Sequence, residues 1–402
     1  MTPYALKGSI GSATSFIALA LHEEHRKNLL CIAKDESTAS AWYSDLKSLA
    51  PKNTVLFFSG YKHLPQTQEQ EEVTVIQERS EVLNALLQDQ TTSLVVTYPE
   101  AMAVLVPPQN TFKGNTFEVR VGMALDLNFL QEWLYECGFT YQDPVVEPGC
   151  FCTRGGIIDV FSFSSEQPFR LEFNGNSIEQ IRAFDPLTQL SIRRMAFMNI
   201  IPNVAPQSQE VYTSLLKYLK PESSILFLDG EEGILNAMEA FRAKETEAWK
   251  ARIQTSVLKP PQDRMWNEDQ AKIEWKLFWR MDAGLQNFES KTTTKILQIP
   301  LQPLPIFKNN FKQLTAFFTG LHQQGYTLIF CAQNPKQAER LQLILNDHVP
   351  EKTPVPEHWF TYWQATLHSG FINPEIKQAV FTDHQVFDRY HYVRRSQGAT
   401  ER

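Results

Sequence analysis

The chain has 402 residues, 45 acidic against 38 basic side chains for a net charge of −7, and is 43% hydrophobic and 21% charged. That length allows two to four domains with cores of their own, and the composition is that of an ordinary globular protein. The acidic balance argues against a chain sheathed in phosphate-binding cations. Five cysteines without a CxxC pair favour neither a zinc ribbon nor a disulfide framework, and no apolar run is long enough to span a bilayer, so a reducing cytoplasm is the expected compartment.

Residues 1–115 read as alternating strands and helices. Gly8, Gly11, Ala13, Thr14 and Ser15 overlay the phosphate-loop pattern GxxxxGK[ST], with Ala13 at the second required glycine and Thr14 at the lysine. The glycine lets backbone amides turn toward phosphate oxygens and the lysine reaches the terminal phosphates. Losing one such charge-assisted contact costs about 1.5–3 kcal/mol. Ser15 could still meet a magnesium ion, but the loop is expected to be vestigial and to hold no nucleotide. His22 and His25 are three apart in HEEHRK, the wrong spacing for a zinc-protease helix, and read as a solvated helix end. Short apolar runs predict strands at 29–33, 55–58 and 94–98, with helical spacing over 73–87. That order points to a parallel α/β layer.

The texture changes near Asn115. A strand is expected at 117–121, then a helix that Asp126 caps, with Leu127, Leu130, Leu134 and Cys137 on one face and Gly138 at its end. Alternation over 157–161, 169–173 and 178–184 predicts antiparallel strands, with Asn174-Gly175 turning a hairpin. Cys150 and Cys152, two apart, read as packing residues on one strand face. Arg154, Arg170 and Arg182 punctuate the strands, so one face of a small sheet carries guanidinium groups, which suit a carboxylate-rich partner surface. From about 202 the chain returns to the first layer, with a buried strand at 225–228, an acidic turn at Asp229 and a helix at 234–249. Residues 259–300, with Trp266, Trp275 and Trp279, have no clear pattern. The proline-rich stretch 297–307 reads as a linker. Beyond it come a helix at 311–322, a strand at 327–332, a helix at 336–345 opened by Asn334-Pro335, and a strand at 378–382 pairing with 327–332. His384, Tyr390 and His391 are expected to be structural, and the polar tail RRSQGATER to be frayed. No catalytic triad, paired-carboxylate cleft or metal cluster is evident.

The arrangement PGxFxxRGGIIDVF…PFRLEFxGxxIExIRxFDPxTQ over 148–189 resembles the bacterial transcription-repair coupling factors (Mfd) and, more distantly, the excision-repair protein UvrB. LKGSIGSATS, LVVTYPEAM and GFINPEIKQAVFTDHQVFDRYH extend the resemblance along the chain. It implies an α/β fold: a degenerate phosphate-loop, helicase-like nucleotide fold of the UvrB type at 1–115 and 202–300, an inserted α+β domain at 116–201 that binds UvrA, and a small α/β domain at 301–402. By position, Arg154 and Arg170 match arginines that the family uses to grip UvrA. A third contact, commonly aromatic, falls at Asn174, which supplies hydrogen bonds but little buried area. Surface ion pairing with Asp159, Glu166 or Glu172 is the plainer account of the two arginines. FFSGYKHLPQ keeps only Tyr61 where UvrB has a tyrosine-rich insertion, so lesion verification is not expected. The resemblance further implies no cofactor, a chain that is part of a longer protein, a C-terminal domain masking the UvrA surface, and RNA polymerase and DNA contacts through regions outside this chain. A nucleotide-dependent helicase-like ATPase, or a DNA-binding module, is the alternative.

Overall fold

A computed structural model describes residues 4–62, 73–88, 92–114, 116–163, 165–201, 211–251, 260–284, 295–308, 310–349 and 355–387. The chain opens with β1 (Tyr4–Lys7), α1 (Ala13–His25), β2 (Asn28–Ile32), α2 (Glu36–Leu49), β3 (Thr54–Phe57), α3 (Val73–Leu86) and β4 (Ser93–Thr97). It then leaves this layer through α4 (Pro99–Ala103) and α5 (Gln109–Gly114). The excursion holds β5 (Phe117–Arg120), α6 (Leu127–Glu136), β6 (Thr140–Tyr141), β7 (Cys150–Arg154), β8 (Ile157–Val160), β9 (Phe169–Asn174), β10 (Ser177–Phe184), β11 (Ser191–Met195) and β12 (Phe197–Ile200). The return brings β13 (Ser224–Leu228), α7 (Glu231–Ala251), α8 (Pro261–Arg264), α9 (Glu268–Trp275), β14 (Trp279–Asp282) and β15 (Lys295–Gln298). Last come α10 (Phe311–Gln323), β16 (Thr327–Ala332), α11 (Pro335–Asp347), β17 (Thr361–Gln364), β18 (Phe371–Asn373), β19 (Gln378–Thr382) and α12 (Asp383–Val386).

The first and third segments build one parallel sheet in the order β15-β1-β14-β13-β2-β4-β3. Helices on its faces bury the inner strands, and every residue of β4 and β13 is buried, which is why those strands read as unbroken apolar runs. Asp35 caps α2 by accepting the Thr38 amide at 2.7 Å. Where the chain leaves and re-enters, Val106 and Thr213 exchange two backbone hydrogen bonds of 2.8 Å, and the Tyr218 hydroxyl donates to the Pro107 carbonyl at 2.8 Å. Arg79 is fully buried on α3 and donates to the carbonyls of Ser59, Ala101 and Val104 at 3.0, 3.3 and 2.9 Å. Its charge is thereby solvated by backbone dipoles rather than a carboxylate.

In the excursion, β11-β10-β9-β8-β7-β6 form a six-stranded sheet and β12-β5 a two-stranded one. Asp126 accepts the Phe129 amide at 3.0 Å to start α6, whose Leu130 and Leu134 are fully buried with Phe151, Ile158, Leu171, Ile178 and Ile181 from the inner face of the larger sheet. The last segment makes a four-stranded sheet, β17-β16-β19-β18, with β16 and β19 parallel in the register Thr327↔Gln378 to Cys331↔Thr382. Asn334 caps α11 and Pro335 is its first helical residue.

Three expectations need correction. Residues 260–284 are regular although their sequence shows no pattern: Trp275 is fully buried on α9, and β14 lies between β1 and β13 inside the parallel sheet. The stretch 297–307 is not a free linker. Leu297 and Gln298 end edge strand β15 on β1, and Gln302 exchanges two 2.9 Å hydrogen bonds with Ile372, the prolines falling outside the paired residues. His22 is not solvated; it is buried, with Nδ1 2.8 Å from the Lys27 carbonyl, while His25 is exposed. Residues 63–66 of FFSGYKHLPQ, Tyr390, His391 and the polar tail lie outside the described residues.

Candidate functional site

Cross-strand register brings the arginines together. Asp159 on β8 lies opposite Arg170 on β9, Arg170 opposite Arg182 on β10, and Arg182 opposite Arg194 on β11. Residues directly opposed on neighbouring strands share a face, so three guanidinium groups form one row on the side away from α6. Arg154, two residues from Cys152 on β7, and Asn174, four from Arg170 on β9, belong to the same face by the strand period of two. Phe173 is on the opposite face, packed against the core, and cannot stand in for an aromatic at Asn174.

Like charges in a row repel, and carboxylates interleaved with them make the row tolerable. Asp159 is the centre: its side chain is 1% exposed and accepts a bidentate pair from Arg170 Nε and Nη2, both at 2.7 Å. Arg154 Nη1 stands 4.0 Å from the same carboxylate, and Cys152 Sγ 3.9 Å. Arg170 also lies over the Phe184 ring, 4.8 Å from its centroid, which fixes the plane of the fork. Arg154 pairs with Asp143, and Arg182 with Glu172. The hydrogen bond to Asp159 holds the Arg170 guanidinium above its ordinary range, and that to Arg154 holds the Asp143 carboxyl below its own. Asn174 is exposed at the hairpin, whose Gly175 has φ +60° and leaves open space around its Cα.

The pairing with Asp159 changes one expectation. Surface ion pairing would make Arg170→Ala nearly neutral for stability; here it strands a buried carboxylate and should cost stability. Arg194 was missed. It sits on edge strand β11, where residues 191–194 are all exposed, beside the exposed apolar residues Leu187, Leu190 and Ile192. The signal was present, since SIRR continues the polar phase of the ladder after FDPLTQL.

The phosphate-loop residues are a second candidate site, and they are covered. Ser9, Ser12, Ala13, Thr14 and Ser15 are all buried. The loop 366–371, which leads from β17 into the first residue of β18, lies against them. The Ser12 amide donates to the Ser369 carbonyl at 3.1 Å and the Ser369 amide to Ser12 Oγ at 3.0 Å. Gly11 has φ +52°, and a Cβ there would stand 3.0 Å from Ser369 Oγ and 3.1 Å from the Gly370 carbonyl. At the other end, a Cβ on Gly8 would meet the Ile299 carbonyl at 2.0 Å. Ser15 Oγ donates to Asp45 Oδ2 at 3.0 Å, and Thr14 Oγ1 lies 2.7 Å from Ser9 Oγ. Asp45, fully buried on α2, also accepts the His368 amide at 2.8 Å and lies 2.6 Å from His368 Nδ1. A carboxylate only accepts, so Nδ1 carries the hydrogen. Ser12 Oγ is 3.1 Å from that same nitrogen, so no base nitrogen faces it and the three residues are a clamp rather than a triad.

Asp229, at the end of β13, accepts the Lys34 amide at 3.4 Å, and burial pushes its carboxyl up. Asp282 is occupied by the amides of Gly230, Glu231 and Gly284 at 2.8, 3.0 and 2.9 Å. Among the described residues no group of three His, Cys, Asp or Glu side chains could hold a metal ion, and no helix is long and apolar enough to cross a membrane.

A family model described as the UvrB interaction domain matches residues 117–205, the stretch that contains β5 to β12. The transcription-repair-coupling factor of Bacillus subtilis is 22% identical over 449 residues, covering 95% of this chain and 38% of that protein. The transcription-repair-coupling factor of Myxococcus xanthus is 31% identical over 204 residues, 49% of this chain and 17% of that one. UvrABC system protein B of Enterococcus faecalis is 27% identical over 246 residues, 55% of this chain and 37% of that one. The chain thus spans between 17% and 38% of the length of these relatives.

Proposed function

We propose that the chain, similar over most of its length to a transcription-repair-coupling factor and carrying a UvrB interaction domain match, is a non-catalytic recruiting module of nucleotide excision repair. In this reading the sheet β7–β11 presents Arg154, Arg170 and Asn174 to UvrA. The observation that carries the reading is the guanidinium row anchored on buried Asp159. It fixes multi-donor cations on a rigid sheet within the residues that match the UvrB interaction domain. An anchored fork loses little freedom on meeting a carboxylate, which favours Arg170 as the centre of the contact and Arg154, on its exposed pair, as the rim.

The parallel sheet is read as a degenerate nucleotide fold, divided at 1–115 and 202–300 by the UvrA-binding domain at 116–201 and followed by a small α/β domain at 301–402. Nucleotide turnover is disfavoured by Thr14 in place of the lysine and by the residues that cover the loop. The whole-protein activities, masking of the UvrA surface by a further domain and contacts with RNA polymerase and DNA, are assigned to regions outside this chain. The test is the affinity of purified UvrA for the chain and for its Arg154→Ala, Arg170→Ala and double variants, read by calorimetry or surface resonance. The reading expects weaker binding in each. Undiminished affinity in a folded double variant would refute it.

A further inference from the structure

The phosphate loop is closed by a matched surface, and the match is chemical as well as steric. We propose that residues 8–15 are a docking socket for the chain's own loop 366–371, and that this joint, rather than a nucleotide, fixes the four-stranded sheet against the parallel one. Hydrogen bonds cross it in both directions: Ser12 amide to Ser369 carbonyl at 3.1 Å, Ser369 amide to Ser12 Oγ at 3.0 Å, His368 amide to Asp45 at 2.8 Å, and Thr366 amide to Ser48 Oγ at 2.7 Å. Beneath them Ala13 packs with Cys331, Leu367, Phe371 and Val380 in one buried cluster, so the joint also has an apolar floor.

The incoming loop is built before it docks. His384 Nε2 lies 3.0 Å from the His368 carbonyl, Gln385 Oε1 accepts the Gly370 amide at 2.7 Å, and Gln385 Nε2 donates to Ser369 Oγ at 3.2 Å. Gly370 admits no side chain, since a Cβ would meet the Val380 carbonyl at 2.1 Å. All of these supports come from β19 and α12 of the same sheet, so the loop arrives rigid and its ordering is not charged to docking.

The two departures from the phosphate-loop pattern now have a positive role. Ala13, where the pattern wants glycine, adds a methyl to the apolar floor, and Thr14, where it wants lysine, closes the loop on Ser9. The charge is reversed as well. Buried Asp45 accepts from Ser15 Oγ, the hydroxyl the pattern would give to magnesium, at 3.0 Å and from the His368 amide at 2.8 Å, so both groups are spent on the joint. Removing the lysine and burying a carboxylate turn an anion site into one that takes amides and an imidazole.

The proposal rests partly on the reading of this loop as a lost phosphate site, and the experiment separates the two. In the full chain, Ser12→Cys with Ser369→Cys should close to a disulfide under mild oxidant, seen as faster migration on a non-reducing gel, because the two backbones are in direct contact. The single variants serve as controls. All five native cysteines are buried, and burial pushes the Cys150 and Cys331 thiols up to about 11 and about 12, so they do not compete. Adding His368→Ala should slow closure about tenfold or more, the factor equivalent to ~1.4 kcal/mol of lost docking. If that variant does not fold, the pair in the unaltered background still decides. A pair that stays open while circular dichroism shows a folded chain overturns the joint. Saturable binding of MgATP by the unaltered chain would overturn the lost-site reading instead, whether or not the pair closes.

Discussion

The arginine face and the closed phosphate loop are built on the same unit, a buried carboxylate bonded to a nitrogen donor that is about one-fifth exposed. Asp159 is 1% exposed and Arg170 20%; Asp45 is fully buried and His368 is 23% exposed. In the first, donor and acceptor are 11 residues apart on neighbouring strands, and the charge is aimed outward from a single sheet. In the second they are 323 residues apart and the hydrogen bond is spent inward, sealing one sheet to another. The difference teaches that the chemistry of such a pair does not decide whether it presents a surface or consumes one. What decides is whether the partners belong to one element layer or to two.

The sharpest way to break that comparison is Arg170→Ala. Under the recruiting model, UvrA affinity should fall about 30-fold, the scale of a central interface arginine (~2 kcal/mol). Stability should also fall by about 2 kcal/mol, because Asp159 is left buried without its partner. Arg170→Ala combined with Asp159→Ala should recover most of the stability and none of the affinity. If affinity returned with stability, the pair would be structural only. Asp45→Ala is the opposite case: it should lower the equilibrium unfolding free energy by about 2–3 kcal/mol and leave UvrA affinity unchanged, since its bonds all face the joint. A loss of affinity there would show that the two regions are not independent.

A smaller effect sharpens the outward side. Asn174→Phe restores an aromatic on the arginine face and should tighten UvrA about fivefold, or ~1 kcal/mol. No change would mean that the contact ends before the hairpin. The smallest effect concerns His22, which burial holds below its ordinary value of 6.5 against the opposing pull of the Lys27 carbonyl. With the folded value depressed, the contribution of His22 is fully present above pH 6.5. It is lost as pH falls below that toward the folded value, because the unfolded chain takes up the proton first. The melting temperature of the chain should therefore approach that of His22→Gln as pH drops from about 7.5 to about 5. A gap that widens instead would mean His22 is charged in the fold.

Sequence reading served the outward region well and the inward one poorly, for physical reasons. Alternation in IIDVF, FRLEF and SIEQIRAF is a local record of which side each residue faces, so the shared face of Arg154, Arg170 and Arg182 is legible in the sequence. Asp126, Asn334 and the Asn174-Gly175 turn were legible because caps and turns are satisfied within a few residues. The strand β14 was not, since WRMD shows neither alternation nor an apolar run although Met281 and Asp282 are both buried. Asp45 and His368 carried no signal at all. Each lies in polar company, on ESTASAWYSDLKSL and in ATLHSG, and only long-range packing makes them partners. His384 was read as structural without its purpose, which is to brace the loop that carries His368.

The paired backbones of Val106 and Thr213 have a practical meaning. Because Val106 and Thr213 are a directly opposed, doubly hydrogen-bonded pair, the two openings of the excursion are only about 5.5 Å apart. None of the described strands between 107 and 212 belongs to the parallel sheet, so excising this cassette and bridging the neck by a short turn should leave every ladder of that sheet in place. By the same token, the cassette with its neck can be grafted onto another scaffold that offers two chain ends at that separation.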